Sequence, residues 1–207
     1  MTVCRLRELP DLSVLCAEPH DHMAWGMGHG LRVEITKVIA GSMMDGVRSV
    51  ADLSCGNGAV ALHLADSFDG VTVTLGDFAA GHQITGMIED TIHQIDRVDL
   101  FLCCETIEHL ENPSLVLADI REHTSKLVVT TPLDQWHDTE EQHLWAWDRQ
   151  GVESILAAAG FSVIRHASVD ASVFGETYHY GLWGCACSAS SLPGAVGSSD
   201  ATCATTT

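Results

Sequence analysis

The stretch Val47-Arg48-Ser49-Val50-Ala51-Asp52-Leu53-Ser54-Cys55-Gly56-Asn57-Gly58-Ala59-Val60-Ala61-Leu62-His63-Leu64-Ala65 decides how the chain folds. Its apolar run over 47–53 predicts a buried strand, Ser54 to Gly58 predicts a glycine turn, and a helix is expected from about Ala59. Glycines in such a turn let the backbone pass close to a ligand and leave helix N-terminal N–H groups available to an acidic group. A dinucleotide fingerprint would require a third glycine at position 61, where Ala61 stands.

Downstream, short apolar runs alternate with helical segments, the sign of βαβ units and an α/β fold with a mostly parallel sheet. Strands are expected at 47–53, 71–75, 98–104 and 126–131, with a shorter one near 82–86, and helices at 58–67, 113–122 and 148–159. Asn112-Pro113 opens the second of these helices, and Gly160 closes the third. The last two apolar runs, 161–169 and 178–187, predict an antiparallel C-terminal hairpin turning near Gly175. Upstream, Leu31, Val33, Ile35, Val38 and Ile39 predict an amphipathic helix from His29 to about Met44, which Gly46 ends. Residues 1–28, with Pro10, Pro19 and the cluster His20-Asp21-His22, predict an irregular cap. Residues 188–207 are almost wholly Ser, Ala, Gly and Thr and have nothing to bury, so a disordered tail is expected. The expected organisation is an N-terminal cap and helix at 1–46, one α/β domain at 47–187, and the tail at 188–207.

Composition narrows the function. No apolar run approaches the ~20 residues of a membrane span, and no secretory leader is visible, which predicts a cytoplasmic protein without a membrane partner. The eight cysteines read as reduced thiols: Cys103-Cys104 falls in an apolar run, and Cys185-Ala186-Cys187 is too tight for a zinc knuckle. The formal net charge is −18, with Lys37 and Lys126 the only lysines. Such a chain repels phosphate backbones at long range, which weighs against nucleic acid and favours a small-molecule partner.

A ligand with a ribose needs a carboxylate for its two hydroxyls at the end of the strand beside the glycine loop, and Asp77 follows Gly58 by about 20 residues, the expected spacing. The segment Asp52-Leu53-Ser54-Cys55-Gly56-Asn57-Gly58 resembles the nucleotide loop of class I S-adenosylmethionine-dependent methyltransferases, commonly Asp-x-Gly-Cys-Gly-x-Gly, with Ser54 in place of the first glycine. The resemblance implies a Rossmann-like sheet of order 3-2-1-4-5-7-6. It also implies S-adenosylmethionine held by Asp52, Ser54, Cys55, Gly56 and Gly58, with Asp77 on the ribose and Phe78 against the adenine. In that setting Asp52 orders the loop or reaches the donor's ammonium, and Glu89 and Asp90 flank the adenine. The 20 residues between Asp77 and Val98 are too few for a full helix, strand and loops, so the third helix is expected to be short or missing.

After the strand at 98–104 comes Glu105-Thr106-Ile107-Glu108-His109-Leu110-Glu111-Asn112-Pro113, in a loop that should face the ligand at the carboxyl ends of the strands. With Thr131-Pro132 and Gln142-His143-Leu144-Trp145-Ala146-Trp147-Asp148-Arg149 following it, the string resembles methyltransferases of the ubiquinone-biosynthesis type. A narrower resemblance is to terminal 2′-O-methyltransferases of small RNAs, in which two Glu and two His bind a divalent metal; Glu105, Glu108, His109 and His143 fill those places. Such a donor set suits Mn²⁺, Fe²⁺, Co²⁺ or Zn²⁺. Without a metal, His109 or His143 is the candidate general base, with Glu108 beside them. Trp136, Trp145 and Trp147 are expected as pocket walls, with core packing an equal reading for at least two of them, and Trp25 with His20, His22 and His29 in a segment folding over the donor.

The expected function is methyl transfer to a hydroxyl of a small molecule or sugar. Two rivals stand beside it. One is a metal-dependent RNA terminal 2′-O-methyltransferase. The other is an inactive methyltransferase fold serving as a binding subunit, suggested by Ser54 and the short region after Asp77.

Overall fold

The computed structural model describes residues 3–9, 19, 21 and 24–188. The expected tail (apart from Ser188), Pro10, and His20 and His22 of the N-terminal cluster lie outside the described residues. In chain order the elements are β1 (Val3–Arg5), α1 (Met27–Gly41), β2 (Ser49–Asp52), α2 (Ala59–Ser67), β3 (Thr72–Asp77), β4 (Ile84–Thr85), α3 (Ile88–Thr91), β5 (Leu100–Cys104), α4 (Pro113–His123), β6 (Lys126–Leu133), β7 (Trp145–Trp147), α5 (Arg149–Ala158), β8 (Phe161–Asp170) and β9 (His179–Cys187).

Seven strands form one sheet in the order β4-β3-β2-β5-β6-β9-β8. Pairings from β4 through β6 are parallel, and β9 runs antiparallel to both β6 and β8. With β2 counted as the first sheet strand, this is the order 3-2-1-4-5-7-6 that the resemblance to class I methyltransferases implied. The third helix is indeed short: α3 is a single turn, followed by a 3-10 turn at Ile92–Gln94.

Helices cover both faces, which is why the central strands read as continuous apolar runs. Along β5, Phe101 and Cys103 pack with Val116, Ile120 and Leu156 of α4 and α5. Leu100 and Leu102, pointing the other way, pack with Val33, Ile39, Val60 and Leu64 of α1 and α2. The caps match their sequence signals. Asn112 accepts the N–H of Leu115 at the start of α4, and Asp148 accepts that of Gly151 at the start of α5.

One element was not expected. Val3–Arg5 pairs antiparallel with Trp145–Trp147 in a separate two-stranded ribbon. Three-residue strands carry too little alternation to be seen, and each depends on a partner some 140 positions away.

The close seat of α1 on the hairpin depends on Gly184. A Cβ there would stand 2.7 Å from Met43 Sδ and 3.0 Å from Ile39 Cγ2. Gly184→Val should therefore lower the thermal midpoint by about 5 °C, since overpacking a core costs roughly 1–3 kcal/mol. An unchanged midpoint in a melt beside the wild type would show that the helix is not held so closely.

Candidate active site

The glycine turn does at residue level what its composition suggests. Gly56 (φ 54°) and Gly58 (φ 75°) both adopt left-handed backbone, where a Cβ is strained. Ser54 needs no such conformation: among the described non-glycine residues only Glu105 and Asp134 have positive φ. Its hydroxyl instead bonds Thr106 Oγ1 at 2.7 Å and ties the turn to the loop after β5. Asp77, at the end of β3, receives the N–H of Gly56 on Oδ2 (2.8 Å) and that of Ala79 on Oδ1 (2.9 Å). Each oxygen keeps acceptor capacity for a hydroxyl.

A cavity of about 460 Å³ opens over these groups. Ser54, Gly56, Asp77, Phe78 and Met87 line it together with Glu108, His109, His143, Tyr178 and Tyr180. Asp52, Cys55 and Gly58 are not on its wall. Asp52 is buried beneath the turn, accepting the N–H of Ser54 at 3.3 Å, and faces a separate hollow of only about 20 Å³. That placement suits ordering the loop and does not bring it to an ammonium in the large cavity. Burial, opposed by the Ser54 bond and helped by Asp77, raises Asp52 to about 7. Cys55 is also buried, and its thiol is pushed up by that burial. Glu89 and Asp90 do not line the cavity either; Phe78, Gly86, Met87 and Ile88 form that wall.

The four residues proposed as metal ligands divide three to one. Ligand atoms of Glu108, His109 and His143 lie within 4.8 Å of one another. Glu105 reaches the cavity but is committed elsewhere: its Oε1 accepts from Thr130 Oγ1 at 2.8 Å and stands 3.9 Å from Nε of the buried Arg32. Thr131 Oγ1 donates to Glu108 Oε2 at 2.9 Å, whereas the buried Oε1 has no hydrogen-bond partner among the described residues. Burial, with Glu105 nearby, pushes the Glu108 carboxyl well above the usual carboxylate range.

Both imidazoles are oriented through Nδ1. His109 Nδ1–H meets the carbonyl of Gln142 at 3.0 Å, and His143 Nδ1–H meets Asp138 Oδ2 at 2.6 Å. These bonds place the ring lone pair on Nε2 in each case. Asp138 is itself held, its Oδ1 accepting the N–H of Glu140 and the hydroxyl of Tyr178. Sequence reasoning missed Asp138, Tyr178 and Tyr180, because no local pattern marks them. For Trp145 and Trp147 the structure gives packing, the alternative to pocket walls. Trp145 and Trp147 stack on each other and donate to Leu110 O and Thr131 Oγ1, bracing the two loops, and neither they nor Trp136 line the cavity.

The profile of a family described as a methyltransferase domain matches residues 40–166. Among solved structures, the chain is similar to magnesium protoporphyrin IX methyltransferase from Synechocystis with bound S-adenosylhomocysteine (TM-score 0.60, 19% identity, 78% of this chain and 84% of that one). It is also similar to the cyclase SpnF (0.57, 12%, 82% and 85%) and to the mitomycin 7-O-methyltransferase MmcR (0.53, 14%, 77% and 55%). At these identities the likeness is one of fold. A sequence search against curated proteins gives no significant match. More than half of the chain lies within the family match, and the chain belongs to this methyltransferase-domain family.

Asp52 gives the site a pH signature. Its raised pKa means that the folded state holds a proton which the unfolded state releases above about pH 4, so its contribution falls between about pH 4 and 7. Asp52→Asn should accordingly melt about 5 °C above the wild type at pH 8, with the gap narrowing steadily towards pH 4. A gap of constant size across that range would place the carboxyl in a wetter setting than the structure gives it.

Proposed function

We propose that this member of the methyltransferase-domain family is an S-adenosylmethionine-dependent methyltransferase acting on the oxygen of a small molecule. One observation carries the reading: the glycine turn and Asp77 line the same cavity as the imidazole–carboxyl cluster of Glu108, His109 and His143. S-adenosylmethionine, consumed as a substrate, supplies a methyl that leaves its sulfur bond pair behind as it passes to the acceptor oxygen. Asp77 would take the ribose hydroxyls, and the wall of Phe78, Met87 and Ile88 would take the adenine. The left-handed Gly56 lets the backbone approach the donor. His143 Nε2 would receive the acceptor's proton, with Asp138 fixing the ring's tautomer and balancing the imidazolium that forms. His109, whose ring lies 4.8 Å from that of His143, stands as the second candidate base.

The fold neighbours support methyl transfer, one with S-adenosylhomocysteine bound and one named for transfer to oxygen. The cyclase on the same fold is the reason to rest the reading on the site. An inactive binding subunit would not need two imidazoles oriented towards the same cavity. For an RNA terminus the setting is poor: Asp77, Glu105, Glu108 and Glu140 line the cavity, and among the described residues neither lysine nor arginine does. The compartment is taken to be cytoplasmic from the sequence; no helix of the described residues is long and apolar enough to cross a membrane.

Calorimetry with S-adenosylhomocysteine tests the reading. The wild type should bind it one-to-one, Asp77→Ala should lose about tenfold or more in affinity, and His143→Ala should keep it. Absence of wild-type binding would remove the enzyme reading.

A second reading keeps the same acceptor chemistry and adds a divalent cation. The buried, unpartnered Oε1 of Glu108 favours it, as do two histidines whose Nδ1 atoms are anchored in the manner of metal ligands. Glu108, His109 and His143 fit as ligands; bound there, the ion would lower the pKa of an acceptor hydroxyl. On this reading Mn²⁺ titrated into chelator-stripped protein should bind the wild type and Glu105→Gln alike, and fail with Glu108→Ala and His143→Ala. A loss in Glu105→Gln equal to that in Glu108→Ala would restore the four-ligand set.

A further inference from the structure

We infer that the acceptor is a planar aromatic molecule with a hydroxyl on its ring, neutral or cationic, seated along a continuous run of protein rings; this rests on the function proposed above. The run is made by six side chains that all line the cavity. Successive centroids are 5.0 Å apart from Trp25 to His29, 5.1 Å to Tyr180, 5.9 Å to Tyr178, 5.6 Å to His143 and 4.8 Å to His109. No neighbouring pair is a parallel stack: interplanar angles run from 46° to 89°, the tilted and edge-on arrangements in which rings attract. Such a wall offers faces and edges to a flat guest over its whole length.

The wall is held from behind by polar bonds that leave its rings in place. Tyr180 bonds His29 Nε2 at 2.8 Å, and Tyr178 donates to Asp138. Burial, with Arg32 close by, lowers His29 to about 4, so this ring is neutral at physiological pH and adds no charge to the wall. Two guanidinium groups stand close behind the wall: that of Arg32 lies 5.7 Å from the Tyr180 ring and is spent on Glu105 and Thr130, and that of Arg7 donates to the carbonyls of Glu140 and Asp138. Neither lines the cavity.

These features select among acceptors. A sugar would use the polar groups of Glu105, Glu108, Glu140 and Gln142 but little of the continuous run of six rings, which a flat aromatic guest covers along its length. An anionic guest would meet Asp77 and Glu140 on the wall, and among the described residues neither lysine nor arginine lines it. A phenolic hydroxyl ionises near pH 10, as in tyrosine, and is among the easiest hydroxyls to deprotonate. The cluster at the end of the ring run is where that hydroxyl would sit.

Calorimetry on the full chain, with and without S-adenosylhomocysteine, separates this inference from the function beneath it. The probes are 2-naphthol, its saturated counterpart decahydro-2-naphthol, and the anionic 6-hydroxy-2-naphthoate. Naphthol should bind, and the other two should bind about tenfold or more weakly. Trp25→Leu and Tyr178→Leu should each weaken naphthol about fivefold, whereas Tyr178→Phe, which keeps the ring, should not. Equal binding of the saturated probe, wild-type affinity in both leucine variants, or no naphthol binding would overturn the aromatic acceptor. S-adenosylhomocysteine binding is read separately: if it alone fails, the methyl-transfer reading falls and the aromatic site stands.

Discussion

The buried guanidinium of Arg32 sets the arrangement of everything around the cavity. A charge in a dry interior needs a counter-charge and hydrogen-bond acceptors, or it costs several kcal/mol. Arg32, 2% exposed on α1, finds Glu105 at 3.9 Å, Thr130 Oγ1 at 3.3 Å and the face of Tyr180. These partners come from the end of β5, from β6 and from β9, so one side chain ties the N-terminal helix to three neighbouring strands. Glu105 meets that demand in a left-handed backbone (φ 51°), a conformation that costs a non-glycine residue free energy. Bonds from its N–H to the Thr130 carbonyl and from Thr130 Oγ1 to its carboxylate offset the strain.

The turn at Glu105 has consequences further along. It sends the chain into the 3-10 turn Ile107–His109, which buries Glu108 and points His109 at the carbonyl of Gln142. The backbone N–H of Leu144 then bonds the Glu108 carbonyl at 2.7 Å, drawing the His143 loop onto the same turn. Asp138 completes the arrangement by fixing His143 between its carboxylate and the ring of Tyr178. Two loops separated by a helix and a strand thereby act as one rigid unit, which is what proton transfer over hydrogen-bond distances requires. A fold shared with a cyclase does not supply that unit; these side chains do.

The fold was largely legible in the sequence because its signals are local. Apolar runs such as 98–104 announce strands buried on both faces, Asn112-Pro113 and Gly160 mark helix ends, and the paired glycines at 56 and 58 mark a turn that needs positive φ. The ribbon of β1 with β7 escaped notice for the opposite reason: each strand is too short to show a period, and each exists only because the other is there.

The sequence by itself determined the glycine turn, the position of Asp77 and the nearness of Glu108 to His109, since these follow from spacing along one strand, turn or helix; the sheet order was implied by the resemblance of its motifs to those of class I methyltransferases. Only the tertiary structure decided that Glu105 belongs to Arg32 and that Asp52 lies under the turn. It also decided that Asp138 orients His143, and that Tyr178 and Tyr180, in place of Trp136, Trp145 and Trp147, join Trp25 and His29 as the cavity wall. Each of those pairings joins residues from different elements or from separate parts of a loop. Their partners are chosen by burial, by the need to neutralise a buried charge, and by where two packed surfaces meet, and none of these is a function of distance along the chain.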